Sequence, residues 1–107
     1  MGVIIMNYLY NSKGEHVATL VNGQLHSPHG KNIGHYIKDH KIFIDMHGHY
    51  MGELIHQNRL VYNRHSAYKS DNYGNYGYFG DIDSCEDSVS DDAIKLKSGY
   101  KDINILE

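Results

Sequence analysis

The sequence predicts an all-β protein: an antiparallel meander of four repeated β-hairpins in a pseudo-four-fold arrangement, followed by a mostly irregular C-terminal tail. Three observations carry this expectation. The 107 residues include ten Tyr and eleven Gly but a single Pro, and Tyr suits half-buried strands because it pairs an apolar ring with a polar tip. Gly14, Gly30 and Gly48 each close a four-residue turn signal and stand 16 and 18 residues apart. After each glycine an aliphatic and then a small residue follow at the same offsets.

The turns come first. Asn11-Ser12-Lys13-Gly14, Ser27-Pro28-His29-Gly30 and Asp45-Met46-His47-Gly48 place Asn, Ser or Asp first and Gly fourth. This is type I turn chemistry, with the glycine at positive φ closing a bulged hairpin. The second strands open with Val17-Ala18, Ile33-Gly34 and Met51-Gly52, and Leu20, Tyr36 and Leu54 come two positions further on. Asn22-Gly23, Asp39-His40 and Gln57-Asn58 join the units, and Asn-Gly is a strong hairpin signal. Small residues inside strands mark close backbone approach. Ala18, Gly34 and Gly52 are therefore expected to converge where the hairpins meet around one axis.

A shift of 18 residues lays "KIFIDMHGHYMG" over "RLVYNRHSAYKS" and gives a fourth unit. Its turn survives as Asn63-Arg64-His65-Ser66, but Met51-Gly52 becomes Lys69-Ser70. Its second strand is expected from elsewhere, such as Val3-Ile4-Ile5 or a partner subunit. Residues 1–70 thus read as the hairpin domain. Residues 71–107 read as a Gly/Tyr loop and an acidic tail packing partly on it, with a short helical turn from Ser90 to Gly99.

Charge divides along the same boundary. Residues 1–70 carry seven Lys/Arg against four Asp/Glu, or +3, and all nine His; residues 71–107 carry three against nine, or −6. The tail reads as solvated or lying on the body; a sharper reading has it competing with an anionic partner for the body. The basic residues are too dispersed for a nucleic-acid stripe. No apolar run is long enough for a membrane helix, no basic leader opens the chain, and "MGVIIM" lacks the Ser/Thr of a myristoylation signal. Cys85, the single cysteine, leaves no internal disulfide framework and fits a reducing, cytoplasmic compartment.

The repeat over residues 8–70 resembles that of the bacterial four-fold β-flower domain proteins. So does "DNYGNYGYFGD", which is similar to the Gly-Asn-aromatic-Gly runs of that family, and "SGYKDI", which is similar to its Gly-Tyr-Arg-Asp ending. The resemblance implies a compact module of pseudo-four-fold hairpins and no established activity. MORN-like and YD-like repeats fit the spacing less well.

Candidate chemistry is sparse. Thr19, His35, Glu53 and Asp71 occupy one repeat position. If the units converge, His35, Glu53 and Asp71 could ligate a divalent transition metal or act as acid and base. If strand alternation turns that position outward, they are separate surface residues. Tyr36, Tyr50, Tyr62, Tyr68 and Tyr76 are the candidate contact residues, since Tyr gives amphipathic area at low entropy cost. "DIDSCEDSVSDD" lacks the Gly and Glu of a calcium loop. Ser84 and Cys85 sit in no nucleophile motif. The expectation is a non-catalytic interaction or self-assembly module rather than an enzyme: a homo-oligomer or protein-binding module with no cofactor. The alternative is a small metal-dependent enzyme or metal-binding protein using the His/Glu/Asp ring.

Overall fold

Asn11, Ser27, Asp45 and Asn63 each begin a tight turn, and the fold grows from these four points. The computed structural model describes residues 6–83 and 90–105. In each turn the fourth residue donates its N–H to the first residue's carbonyl: Gly14 to Asn11 at 3.1 Å, Gly30 to Ser27 at 2.9 Å, Gly48 to Asp45 at 3.1 Å, Ser66 to Asn63 at 3.0 Å. The first side chain then accepts from the turn backbone. Asn11 Oδ1 takes the Lys13 and Glu15 N–H groups, and Asp45 Oδ1 takes those of His47 and His49. These are the local bonds that make Asn and Asp good turn starters. Gly14, Gly30 and Gly48 all have φ near +90° (88, 92 and 87°).

The strands between turns are β1 (Met6–Tyr10), β2 (His16–Val21), β3 (Gln24–His26), β4 (Asn32–Ile37), β5 (Ile42–Asp45), β6 (Tyr50–Ile55), β7 (Arg59–Asn63) and β8 (Tyr100–Asp102). They pair in sequence order as one antiparallel meander, giving four hairpins. The sheet closes on itself where Tyr10 of β1 meets Arg59 of β7 in parallel. The all-β expectation is met, and none of the described residues forms a helix.

In the first three hairpins the ladder slips by one residue: Tyr10↔His16 is followed by Leu9↔Ala18, His26↔Asn32 by Leu25↔Gly34, and Ile44↔Tyr50 by Phe43↔Gly52. The skipped residues are Val17, Ile33 and Met51, the aliphatic residues of the repeat. A bulge re-aims its extra residue, and all three pack on the inner core of Leu9, Ala18, Leu25, Phe43 and Leu60. Burying a side chain the size of Phe43 contributes about 1.5–3 kcal/mol. The small residues admit the neighbouring unit. A Cβ on Gly34 would meet the Ile44 carbonyl and, at 2.9 Å, Met51 Sδ; one on Gly52 would meet Ile103 Cδ1 and, at 2.7 Å, the Val61 carbonyl.

Strand alternation sends the flanking residues to the opposite face. There Ile42, Ile44 and Tyr50 form a second cluster, covered by Ile37, Tyr62, Tyr68 and Tyr73.

The fourth hairpin takes its second strand from elsewhere, as expected, and from a segment not named in advance. The strand beside β7 is β8, from the far end of the chain: Val61↔Asp102, Tyr62↔Lys101, Asn63↔Tyr100. Ile103, just beyond it, packs on the inner core with Val17, Ile33 and Met51. Val3-Ile4-Ile5 lie outside the described residues. The ungapped alignment is also off by one in the core, because Leu60, not Val61, stands opposite Leu54. The β6–β7 connection is one residue shorter than the β4–β5 connection, where Tyr36 stands opposite Phe43.

The tail forms a belt across the turns. Tyr73, Ile82 and Asp91 donate their N–H groups to the carbonyls of Gly48, Gly30 and Gly14, at 2.9, 2.7 and 2.9 Å. These donors are nine residues apart, so the belt meets the third, second and first units in turn before β8 completes the fourth. The helical turn expected from Ser90 to Gly99 is absent. Ser90 instead bridges to Glu15, and the Ile94 N–H goes to the Ser12 carbonyl at 2.7 Å. These backbone groups bond the hairpin turns rather than one another.

Candidate functional site

The repeat position of Thr19, His35, Glu53 and Asp71 does not form a ring. The neighbouring Ala18 lies in the inner core and Gly34 faces Met51, so alternation turns Thr19, His35 and Glu53 to the outer face. Each side chain is used locally. Thr19 Oγ1 lies 2.8 Å from His16 Nε2. His35 Nδ1 lies 2.5 Å from Gln24 Oε1. Glu53 accepts a hydrogen bond from the Tyr50 hydroxyl at 2.7 Å. Asp71 is exposed in a turn, its N–H bonded to the Tyr68 carbonyl. Among the described residues no three His, Cys, Asp or Glu side chains are placed to share an ion. Ser84 and Cys85 lie outside the described residues.

Four of the five candidate contact tyrosines also turn inward. Tyr36 packs on Phe43 with ring centroids 5.0 Å apart. Tyr50 and Tyr62 meet at 5.2 Å, and Tyr68 stacks on His40 at 4.5 Å. Burial pushes the Tyr50 hydroxyl well above its usual range, so it stays a donor. Strand tyrosines carry the same sequence signal whether they face solvent or a covering segment. Here Tyr73 and its neighbours in the belt provide that cover.

Tyr76 differs, and it has companions. Tyr76, Tyr78 and Phe79 are 46, 62 and 60% exposed, forming an aromatic arm that projects from the belt over the second hairpin. Tyr78 and Phe79 lie in the same run, "DNYGNYGYFGD", but neither is among the candidate contact residues. The signal that could have found both is three aromatics within four residues, set among glycines, with no strand alternation to bury them.

The arm is anchored at its C-terminal side. Asn32, buried on β4, accepts the Phe79 N–H at 3.0 Å through Oδ1, and its own N–H goes to Asp81 Oδ1 at 2.9 Å. Its Nδ2 donates to the carbonyls of Leu25 and Gly34. Hydrogen bonds from the Tyr78 hydroxyl and the Asn32 N–H hold the Asp81 carboxyl below the usual carboxylate range. Beneath the arm, His35 stacks on Tyr76 at 5.3 Å and meets the edge of Phe79 at 5.4 Å. His26 Nε2 lies 3.3 Å from the Gly80 carbonyl. A cavity of about 330 Å³ opens beside Phe79, lined by Val21, Gln24, His26 and Asp81 among others.

The other histidines at turn positions, His29, His47, His49 and His65, are exposed. No helix among the described residues is long and apolar enough to cross a membrane. No family model matches the chain, and neither does any curated protein or solved structure.

Proposed function

We propose that this chain is a non-catalytic interaction module that self-associates through its aromatic arm. The observation that carries the reading is the exposure of Tyr76, Tyr78 and Phe79 together, at 46, 62 and 60%. Three adjacent aromatics held out of a folded core are costly to hydrate, and such patches mark contact surfaces. Tyr and Phe are enriched at the buried centres of interfaces. The anchors at Asn32 and Asp81 hold the base of the arm, which lowers the ordering cost of binding. The resemblance to the β-flower proteins supports a module of this kind and adds no chemistry to it. A single cysteine, Cys85, agrees with a reducing compartment.

Sedimentation equilibrium across a range of protein concentrations tests the reading. The expected result is a homo-oligomer that weakens at least tenfold in Tyr78→Ser and Phe79→Ser, with unfolding midpoints close to those of the parent. A parent protein monomeric at all concentrations, or an oligomer indifferent to both substitutions, overturns it.

A further inference from the structure

His35 lies under the arm with one ring nitrogen bonded and the other bare. It is 1% exposed, Nδ1 faces Gln24 Oε1, and Nε2 has no hydrogen-bond partner. An amide oxygen only accepts, so Nδ1 carries the proton and Nε2 presents a lone pair. A bare lone pair is tolerable in this setting. A bare N–H⁺ there is not, because burying an unpaired charge costs far more than burying an unpaired neutral atom.

Sterically open glycines bound the arm. Gly74 and Gly80 bracket it at φ +78° and +97°, and no neighbour lies within 4 Å of either Cβ direction. Backbone bonds fix the belt on either side, from Tyr73 to Gly48 and from Ile82 to Gly30. Between those points, the rings of Tyr76 and Phe79 rest on His35, and the Phe79 N–H rests on Asn32.

We propose that His35 is an acid-sensitive latch: its protonation releases the aromatic arm from the second hairpin while the belt on either side stays docked. Every group facing His35 agrees on the sign. Gln24 from β3 is neutral and already bonded, Ile44 from β5 pairs with His35 in the ladder, and Tyr76 and Phe79 come from the arm. None carries a negative charge to stabilise an imidazolium. Burial accordingly lowers the His35 pKa from its ordinary 6.5, so docking is at full strength above 6.5 and weakens as the pH falls below it. Stacking of the imidazolium on Tyr76 opposes release, but by less than the cost of burying the unpaired charge. Asp81, just beyond the arm, interacts with His26 and Lys31 and is bonded to Tyr78 and Asn32. His26 shares the pattern of His35, being buried with Nε2 toward the Gly80 carbonyl and Nδ1 without a hydrogen-bond partner, so the His35→Phe variant is what assigns the response to His35. The latch depends on the packing of His35 and is independent of what the arm contacts.

An NMR titration of the full chain from pH 8 to about 4.5 tests this, following the His35 ring and the amides of Phe79, Gly80, Ile44 and Tyr73. The expected result is that Phe79 and Gly80 lose their docked shifts with the midpoint of His35, below 6.5, while Ile44 and Tyr73 hold theirs. His35→Phe keeps an aromatic under the arm and cannot charge, so its Phe79 amide should not titrate. If that variant misfolds, the parent protein still decides by the coincidence of midpoints. Phe79 unmoved through the His35 titration, all four amides moving together, or an unchanged Phe79 titration in a folded His35→Phe would each overturn the latch.

Discussion

The Asp102 carboxylate receives two hydrogen bonds from Ser12, one from its N–H at 2.7 Å and one from its hydroxyl at 2.6 Å, across 90 residues of chain. Ser12 sits in the first turn and Asp102 ends the last strand, so this contact joins the first and fourth units. Among the described residues β1 and β7 share one ladder pair, and the Tyr10 N–H and the Arg59 side chain add bonds to the Asn58 and Asn11 carbonyls across the same seam. Hydrogen bonds to a charged acceptor contribute about 1.5–3 kcal/mol. Asp102→Ala is expected to lower unfolding stability by about 2–3 kcal/mol and Ser12→Ala by about 1 kcal/mol. Urea unfolding of both single variants and the double variant checks it. Additive losses would mean the two residues act separately.

The turn glycines carry two constraints at once. Each has positive φ, and at Gly14 and Gly30 a Cβ would overlap the belt carbonyls of Asp91 and Ile82. Gly23 separates the two effects, having φ +78° and nothing within 4 Å of its Cβ direction. Gly23→Ala is expected to cost about 1 kcal/mol from backbone strain alone. Gly14→Ala and Gly30→Ala should cost roughly 3 kcal/mol or more, because backbone cannot yield as a side chain can. They should also raise hydrogen exchange at the Asp91 and Ile82 amides respectively. Equal losses at all three positions would show that the belt can move aside.

This pair of constraints explains what was legible in the sequence. The turns, bulges and aliphatic positions depend on residues a few places apart, and Asn11, Gly14 and Val17 announce them locally. The belt depends on backbone amides of Tyr73, Ile82 and Asp91, which any residue but proline supplies, so its nine-residue spacing leaves no side-chain signature. The same holds for β8. "SGYKDI" stood out by resemblance, yet nothing in Lys69-Ser70 says that the missing strand comes from residues 100–102. The polar repeat position failed for a different reason. Period-2 alternation placed it opposite the small residues, and that argument was already available from Ala18 and Gly34.

Tyr50 links two strands through its hydroxyl. The oxygen donates to Glu53 Oε1 at 2.7 Å and accepts the Asn63 N–H at 3.0 Å. Tyr50→Phe keeps the ring in the outer cluster but leaves the Asn63 amide without that acceptor. An orphaned group of this kind costs about 1–3 kcal/mol. The expected signature is that loss in urea unfolding, with faster exchange at the Asn63 amide and little change at Asn11, its counterpart in the first turn. An Asn63 amide as protected as before would mean another acceptor takes over.

Arg59 gives the fold its acid dependence at the seam. Its side chain is almost wholly buried, with Nη1 donating to the Asn11 carbonyl at 3.0 Å and Nη2 3.4 Å from Asp91 Oδ2. Asp91 is the member of this pair that titrates in the acid range. The Asp92 N–H, the Asn58 side-chain amide and the Arg59 charge hold the Asp91 carboxyl below its ordinary 3.8. A lowered carboxyl pKa stabilises the fold above the unfolded value, and that contribution disappears as the pH falls through the folded value. Asp91→Asn should therefore melt below the parent protein at pH 7 and pH 5 by the same margin. The margin should narrow as the pH falls below 3.8 and close once the folded carboxyl has protonated as well. Because Asp91 is exposed, part of the margin at pH 7 should also shrink in 1 M salt, while the part due to the neutral Asn58 and Asp92 donors remains. Thermal unfolding of both proteins from pH 7 down through the acid range decides it: a margin that does not narrow at all as the pH falls below 3.8 assigns the loss to altered packing rather than to the charge of Asp91.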